Sequence, residues 1–235
     1  DRSILSLVLP QIKAEMHLSD TALGLVSGFA FVLFYSLLGV PIARLADRTS
    51  RRNVLGGGLV FWSLMTSLTG FVVNVWQLAA TRFLMGAGEA CGVAPSNAMV
   101  AAMFSKAQRA LALAILSAGS AIAFVVFFPI AGWIVDHHGW RTTFIAAGVP
   151  GVVLALLLFA TVREPARALP AGPGGRAEGF LETTRFLLQS QTFTRTVIGG
   201  AFMGISLYAS LVWTPMFLVR VHDFSLTEVG ATIGP

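Results

Sequence analysis

The chain has 235 residues, 55% of them hydrophobic and 11% charged, with a mean hydropathy of +0.77. A globular domain carries about a quarter charged residues, so this composition excludes a soluble domain and predicts a chain that lies in lipid. A net charge of +5 would suit a nucleic-acid binder, but the basic residues fall in short clusters between apolar runs, the pattern of topology control rather than of a phosphate-binding face.

A helix needs about 20 apolar residues to cross a hydrocarbon core of roughly 30 Å. On that scale residues 1–16 read as the second half of a span. Full spans follow at 21–44, 54–75, 76–103, 110–135, 142–161 and 196–219, and an eighth begins near Thr227. The expected fold class is all-α, a polytopic transmembrane helical bundle. Residues 1–163 form an amino-terminal six-helix bundle with its first span truncated, 164–195 a cytoplasmic linker, and 196–235 the start of a second bundle. Within the linker, 168–179 is rich in Pro, Gly and Ala and reads as flexible. Residues 180–195 regain a helical period, as an amphipathic segment at the membrane surface would. The chain opens at Asp1-Arg2 without Met and closes just after an apolar segment begins, so it is expected to be a piece of a longer protein.

Loop charges orient the bundle. Arg44, Arg48, Arg51 and Arg52 lie between spans two and three, Lys106 and Arg109 between spans four and five, and Arg163, Arg167, Arg176, Arg185 and Arg195 after span six. The opposite loops hold only Lys13, Arg141 and Arg220. By the positive-inside rule the first set is cytoplasmic. The abundance of Arg over Lys, with much Ala and Gly, points to a GC-rich bacterial genome, and the expected location is a bacterial inner membrane with loop 44–52 cytoplasmic.

Charges inside lipid are costly and mark function. Asp1 and Arg2 lie some twelve residues before Lys13, roughly 18 Å into the membrane at about 1.5 Å per residue, where a protonating Asp would release its Arg. The alternative is a helix start in water. Arg82 and Glu89 are seven residues apart and share a face of span four. Glu89 stands among Gly86, Gly88, Ala90 and Gly92, where desolvation favours the protonated acid unless a cation opposes it. These four are the expected proton-coupling residues, against the alternative of a structural ion pair. In the ADRTSRR stretch, Asp47 with Arg48, Arg51 and Arg52 can bridge to a carboxylate or a helix C-terminus, or serve only as a topogenic cluster.

No metal-type cluster, nucleophile elbow or phosphate loop appears, so no enzyme activity, metal or cofactor is expected. The lone Cys91 excludes a disulfide framework. His137 and His138 read as solvated in an external loop.

At these residues the chain resembles the major facilitator superfamily. GVPIARLADRTSRR resembles that family's loop signature between spans two and three, with Ala43 and Ser50 where Gly is usual. Arg82, Gly86 and Gly88 match its fourth-span signature, whereas Phe128, Pro129 and Gly132 match the fifth-span Gly-Pro signature poorly. More narrowly, Asp1-Arg2, FWSLMT (residues 61–66), GEA (88–90), GVPGVVLALLL (148–158) and WTPMFLVR (213–220), with GWRTTF (139–144) and the REPAR stretch (163–167), resemble bacterial spinster-like members.

The resemblance implies alternating access between two six-helix bundles, powered by a proton gradient. It places Asp1, Arg2 and Glu89 on proton-coupling positions and Asp47, Arg48, Arg51 and Arg52 in a latch that stabilises the outward-facing state. The expected partners are protons, membrane lipid and an amphiphilic or lipid-like solute, moved across the membrane by a monomer that binds no nucleic acid. The alternative is a small organic-anion:proton symporter, which would call for more cavity cations than Arg2 and Arg82. Phe29, Phe31, Phe34, Phe124 and Trp213 could line a lipid-tolerant cavity or simply pack between helices.

Overall fold

The computed structural model describes residues 2–164 and 180–233, less the side chains of Arg2, Phe180, Leu181 and Thr183. The described residues contain helices and connections only, with no strand. Three of the helices are long and apolar enough to cross a membrane by length and composition.

Helix α1 is Arg2–Met16. After Ser19, whose hydroxyl accepts from Ala22 N at 3.1 Å, α2 runs Asp20–Arg48 and contains a π-helical turn at Leu25–Phe29. Helix α3 is Arg51–Thr69, started by the Ser50 hydroxyl accepting from Asn53 N. The fourth predicted span, 76–103, is divided: α4 is Val75–Glu89 and α5 is Val93–Met103. Pro95 explains the break, because it has no N–H to give the Cys91 carbonyl and its ring crowds that oxygen. The backbone tightens there, with Cys91 N donating to Gly88 O at 3.0 Å and Gly92 N to Glu89 O at 2.9 Å.

The external loop predicted between spans five and six shrinks to one residue. Helix α6, Arg109–Thr161, stays helical except at Gly139, whose φ of 79° and ψ of 165° belong to a region open essentially to glycine alone. His137 and His138 are therefore exposed helical residues at this corner rather than loop residues. Helix α7 is Phe180–Gln189. Helix α8, Gln191–His222, starts five residues earlier than the span predicted at 196, because Ser190 accepts from Phe193 N and caps it. Helix α9 is Leu226–Ile233. The expected flexible linker 168–179 with Arg176, and Arg167 just before it, lie outside the described residues.

The core joins both parts of the chain. Leu5, Val8 and Ile12 of α1 are at most 1% exposed and cluster with Phe128, Val135 and Phe144 of α6, Met216 of α8 and Val229 of α9. Lipid offers apolar helices no reason to associate, so close packing and polar contacts must hold such a cluster together. Two glycines do this in the fourth span. A Cβ on Gly86 would stand 2.5 Å from the Phe31 carbonyl oxygen of α2, and one on Gly88 would stand 2.8 Å from the Trp62 Cβ of α3. Each lets α4 approach a different neighbour to backbone distance.

Candidate functional site: buried charges and the two ends of the bundle

Three groups of polar residues stand out against the apolar bundle. The first is in its interior. Arg82 is fully buried on α4. Its Nη1 donates to Met85 Sδ at 3.0 Å, and its guanidinium carbon lies 5.5 Å from the centre of the Phe31 ring. A cation over an aromatic face is stabilised by the ring quadrupole, more so when desolvated. Glu89, 9% exposed, is the last helical residue before the Pro95 break, two turns beyond Arg82 on the same helix. Asp1 lies outside the described residues. Arg2 begins α1, and its side chain lies outside them too.

The second group is at the arginine-rich end. Asp47 Oδ1 pairs with Arg51 Nη2 at 3.1 Å across the α2–α3 corner. Both side chains reach solvent, so this pair by itself contributes little to stability. The stronger partner is Glu164, just past the end of α6. Its Oε1 accepts from Arg51 N at 2.9 Å, and its Oε2 accepts from Arg52 N at 2.8 Å and from the Ser50 hydroxyl at 2.6 Å. The first N–H groups of a helix lack intrahelical partners and carry the positive end of its dipole, so a carboxylate fits there. Arg52 Nη1 completes the exchange by donating to the Val162 carbonyl at the end of α6 at 3.2 Å, and its guanidinium carbon lies 5.9 Å from the Phe159 ring centre. Sequence reasoning placed Glu164 in the linker and overlooked it. The signal was an acid directly after a predicted span, in the stretch RE that opens REPAR. Arg48 ends α2 at the same corner.

The third group is at the opposite end, where the first and later parts of the chain meet. Arg220 at the end of α8 forks onto Asp20 at the start of α2, with Nη2 to Oδ1 at 2.8 Å and Nη1 to Oδ2 at 3.3 Å. Lys13 of α1 shares that Oδ1 at 2.8 Å. Asp136 of α6 accepts from both N and Oγ1 of Thr227 in α9, at 2.6 Å each, and Gly132 packs against the Leu226 backbone one turn away. Beside them Glu15 accepts from Trp140 Nε1 at 2.7 Å and from Arg141 Nη1 at 2.6 Å. Arg141 also donates to the Val72 carbonyl at 3.0 Å. The GWRTTF stretch is thus a clamp: Gly139 turns the chain and the next two residues hold the end of α1.

A bundle of this build, with a buried Arg–Glu helix, a carboxylate-capped corner and a second set of helices sealed to the first at one end, invites comparison with known proteins. The profile of the Major Facilitator Superfamily matches residues 1–235. The chain belongs to the Major Facilitator Superfamily. An efflux pump of the same superfamily from Mycolicibacterium smegmatis is 36% identical in a match that covers 100% of this chain and 54% of that protein. A probable galactarate/D-glucarate transporter of Bacillus subtilis is 27% identical over 98% of this chain and 56% of its own length. Among solved structures, a bacterial homologue of the human lysosomal transporter Spinster, inward-facing and unoccupied, superposes with a TM-score of 0.84 at 30% identity, covering 99% of this chain and 55% of that one. The chain therefore spans about half the length of the relatives it matches, and it has the Major Facilitator fold of an integral, multi-pass membrane protein.

Proposed function

We propose that this chain is part of a proton-coupled secondary transporter that works by alternating access and moves an amphiphilic or lipid-like organic solute. The observation that supports proton coupling is Glu89: a carboxyl 9% exposed in an apolar span, at a helix break, two turns from a fully buried arginine. A carboxyl can carry a proton, and a neighbouring cation competes with that proton for the same group. Movement of Arg82, Arg2 or bound solute relative to Glu89 would then load or release a proton. Asp1 and Arg2 join Arg82 and Glu89 in this reading as the coupling group.

By the positive-inside rule the arginine-rich end is cytoplasmic, in a bacterial inner membrane. The seal at Asp20–Arg220 and Asp136–Thr227 then closes the outer side, and the protein opens inward. Asp47, Arg48, Arg51 and Arg52, with Glu164, form the cytoplasmic corner that re-forms contacts when the protein faces outward. The proposed unit is a monomer, with protons, lipid and solute as its partners.

The test is proton-driven flux in proteoliposomes of the full-length protein. Glu89→Gln is expected to abolish gradient-driven transport while leaving the protein folded and monodisperse. Undiminished, pH-dependent flux in that variant overturns the coupling role.

The second reading is a symporter of small organic anions and protons. The relative named as a galactarate/D-glucarate transporter favours it. Competition between a lysophospholipid and D-glucarate for uptake separates the two.

A further inference from the structure

Where α1, α2 and α8 meet, Ser3, Ser6, Ser27 and Tyr208 surround a small notch whose remaining wall is aliphatic. The space is about 10 Å³, room for one water-sized group. The Ser27 hydroxyl is sealed from solvent and has no hydrogen-bond partner among the described residues. Buried hydroxyls are rarely left so, and each exception calls for an occupant or a cause. Ser27 also sits in the centre of the π-helical turn Leu25–Phe29, an irregularity found frequently at functional sites. By contrast the Ser6 hydroxyl already donates to the Ser3 carbonyl at 2.7 Å and offers the notch only its lone pairs.

We propose that this notch is a subsite for an uncharged hydroxyl of the transported solute, held by Ser27 from one half of the protein and Tyr208 from the other. The chemistry follows from the lining. An ion would lose its hydration against Leu and Val walls, and none of the described lining residues carries a charge to replace it, whereas a hydroxyl can donate to one wall and accept from another. The place gives the contact its consequence. Ser27 is seven residues, about 10 Å along the helix, from the Asp20–Arg220 seal, and Tyr208 stands on the seventh-span helix that the seal holds. A group seated here touches both halves at the seam where they must part, so its binding energy differs between the two conformations. The proposal rests on the transport reading above and narrows it to solutes with a free hydroxyl, whether a lysolipid's or a sugar acid's.

The experiment is equilibrium binding to the full-length protein in detergent with two matched pairs. The first is a lysophosphatidylethanolamine and its 2-deoxy analogue; the second is D-glucarate and adipate, the same diacid without hydroxyls. The native protein is expected to prefer the hydroxylated member of one pair by about tenfold or more, tenfold being the scale of one satisfied buried hydrogen bond, and the pair that responds identifies the source. Ser27→Ala is expected to lower that preference by about tenfold, to parity for the lysolipid pair, which differs by a single hydroxyl. Tyr208→Phe, which removes a hydroxyl from the facing helix without changing its shape, should lower the preference by several-fold, and it keeps the test decisive if Ser27→Ala does not fold. Equal binding of both members by the native protein, or a preference kept in both variants, overturns the notch and leaves alternating-access transport standing. Binding of none of the four overturns the hydroxylated-solute assignment, while Glu89→Gln flux on other solutes decides proton coupling separately.

Discussion

Glu164 closes on the Ser50 hydroxyl at 2.6 Å, joining the end of the sixth span to the start of the third. The same carboxylate takes the Arg51 and Arg52 amides, so one side chain satisfies three donors at a helix N-terminus. Glu164→Ala should lower stability by about 1–2 kcal/mol, the range measured for lost caps, and Glu164→Gln by less because it keeps the acceptor oxygen. Thermal unfolding of the full-length protein in detergent reads both. An alanine variant as stable as the native protein contradicts the capping role.

Asp20 is the hub of the opposite end, bound by Lys13 and forked by Arg220. Asp20→Asn should raise the fraction of molecules open at this end, seen as a longer spin-label distance between His17 and His222. Because the side chains are partly solvated, the native distance distribution should shift the same way when salt is raised from about 0.05 M to about 0.5 M, as screening shortens the reach of the charges. A variant indistinguishable from native at low salt removes the ion pairs from the seal.

The corner of α6 depends on Gly139, whose φ is 79° and ψ 165°. A side chain there costs about 1–3 kcal/mol of backbone strain, although the surroundings are open. Gly139→Ala should therefore unfold at a lower temperature with no steric clash to relieve. It should also loosen the neighbouring Trp140–Glu15 hydrogen bond of 2.7 Å, which tryptophan fluorescence can follow.

Gly86 and Gly57 make a matched pair of controls. A Cβ at Gly86 would meet the Phe31 carbonyl at 2.5 Å, whereas one at Gly57 meets nothing within 4 Å. Gly86→Ala should cost about 1–3 kcal/mol, as overpacking does. Gly57→Ala should be neutral or stabilising by up to about 1 kcal/mol through helix propensity. Equal effects in a denaturation series would mean that α2 can retreat from α4 without loss.

Much was legible before any coordinates because lipid imposes simple rules. Long uncharged runs had to be helices, since a spanning backbone must satisfy its own hydrogen bonds. Arg82 and Glu89 announced themselves because a charge in such a run is expensive. The run 76–103 misled for the same reason: apolar composition is blind to Pro95 breaking the helix beside Glu89. The pattern was equally silent about the one-residue corner at Gly139, since a short turn needs only one permissive dihedral and no polar stretch.

The sequence by itself determined the solvent, the helical class and the clustering of positive charge between apolar runs, all consequences of composition along a line. Only the tertiary structure decided the partners. Glu164 meets Ser50 across more than a hundred residues, Asp20 meets Arg220 across two hundred, and Ser27 faces Tyr208 in a notch built by three helices. Such pairings depend on which helix faces pack together, a property of the assembled bundle that no single segment carries.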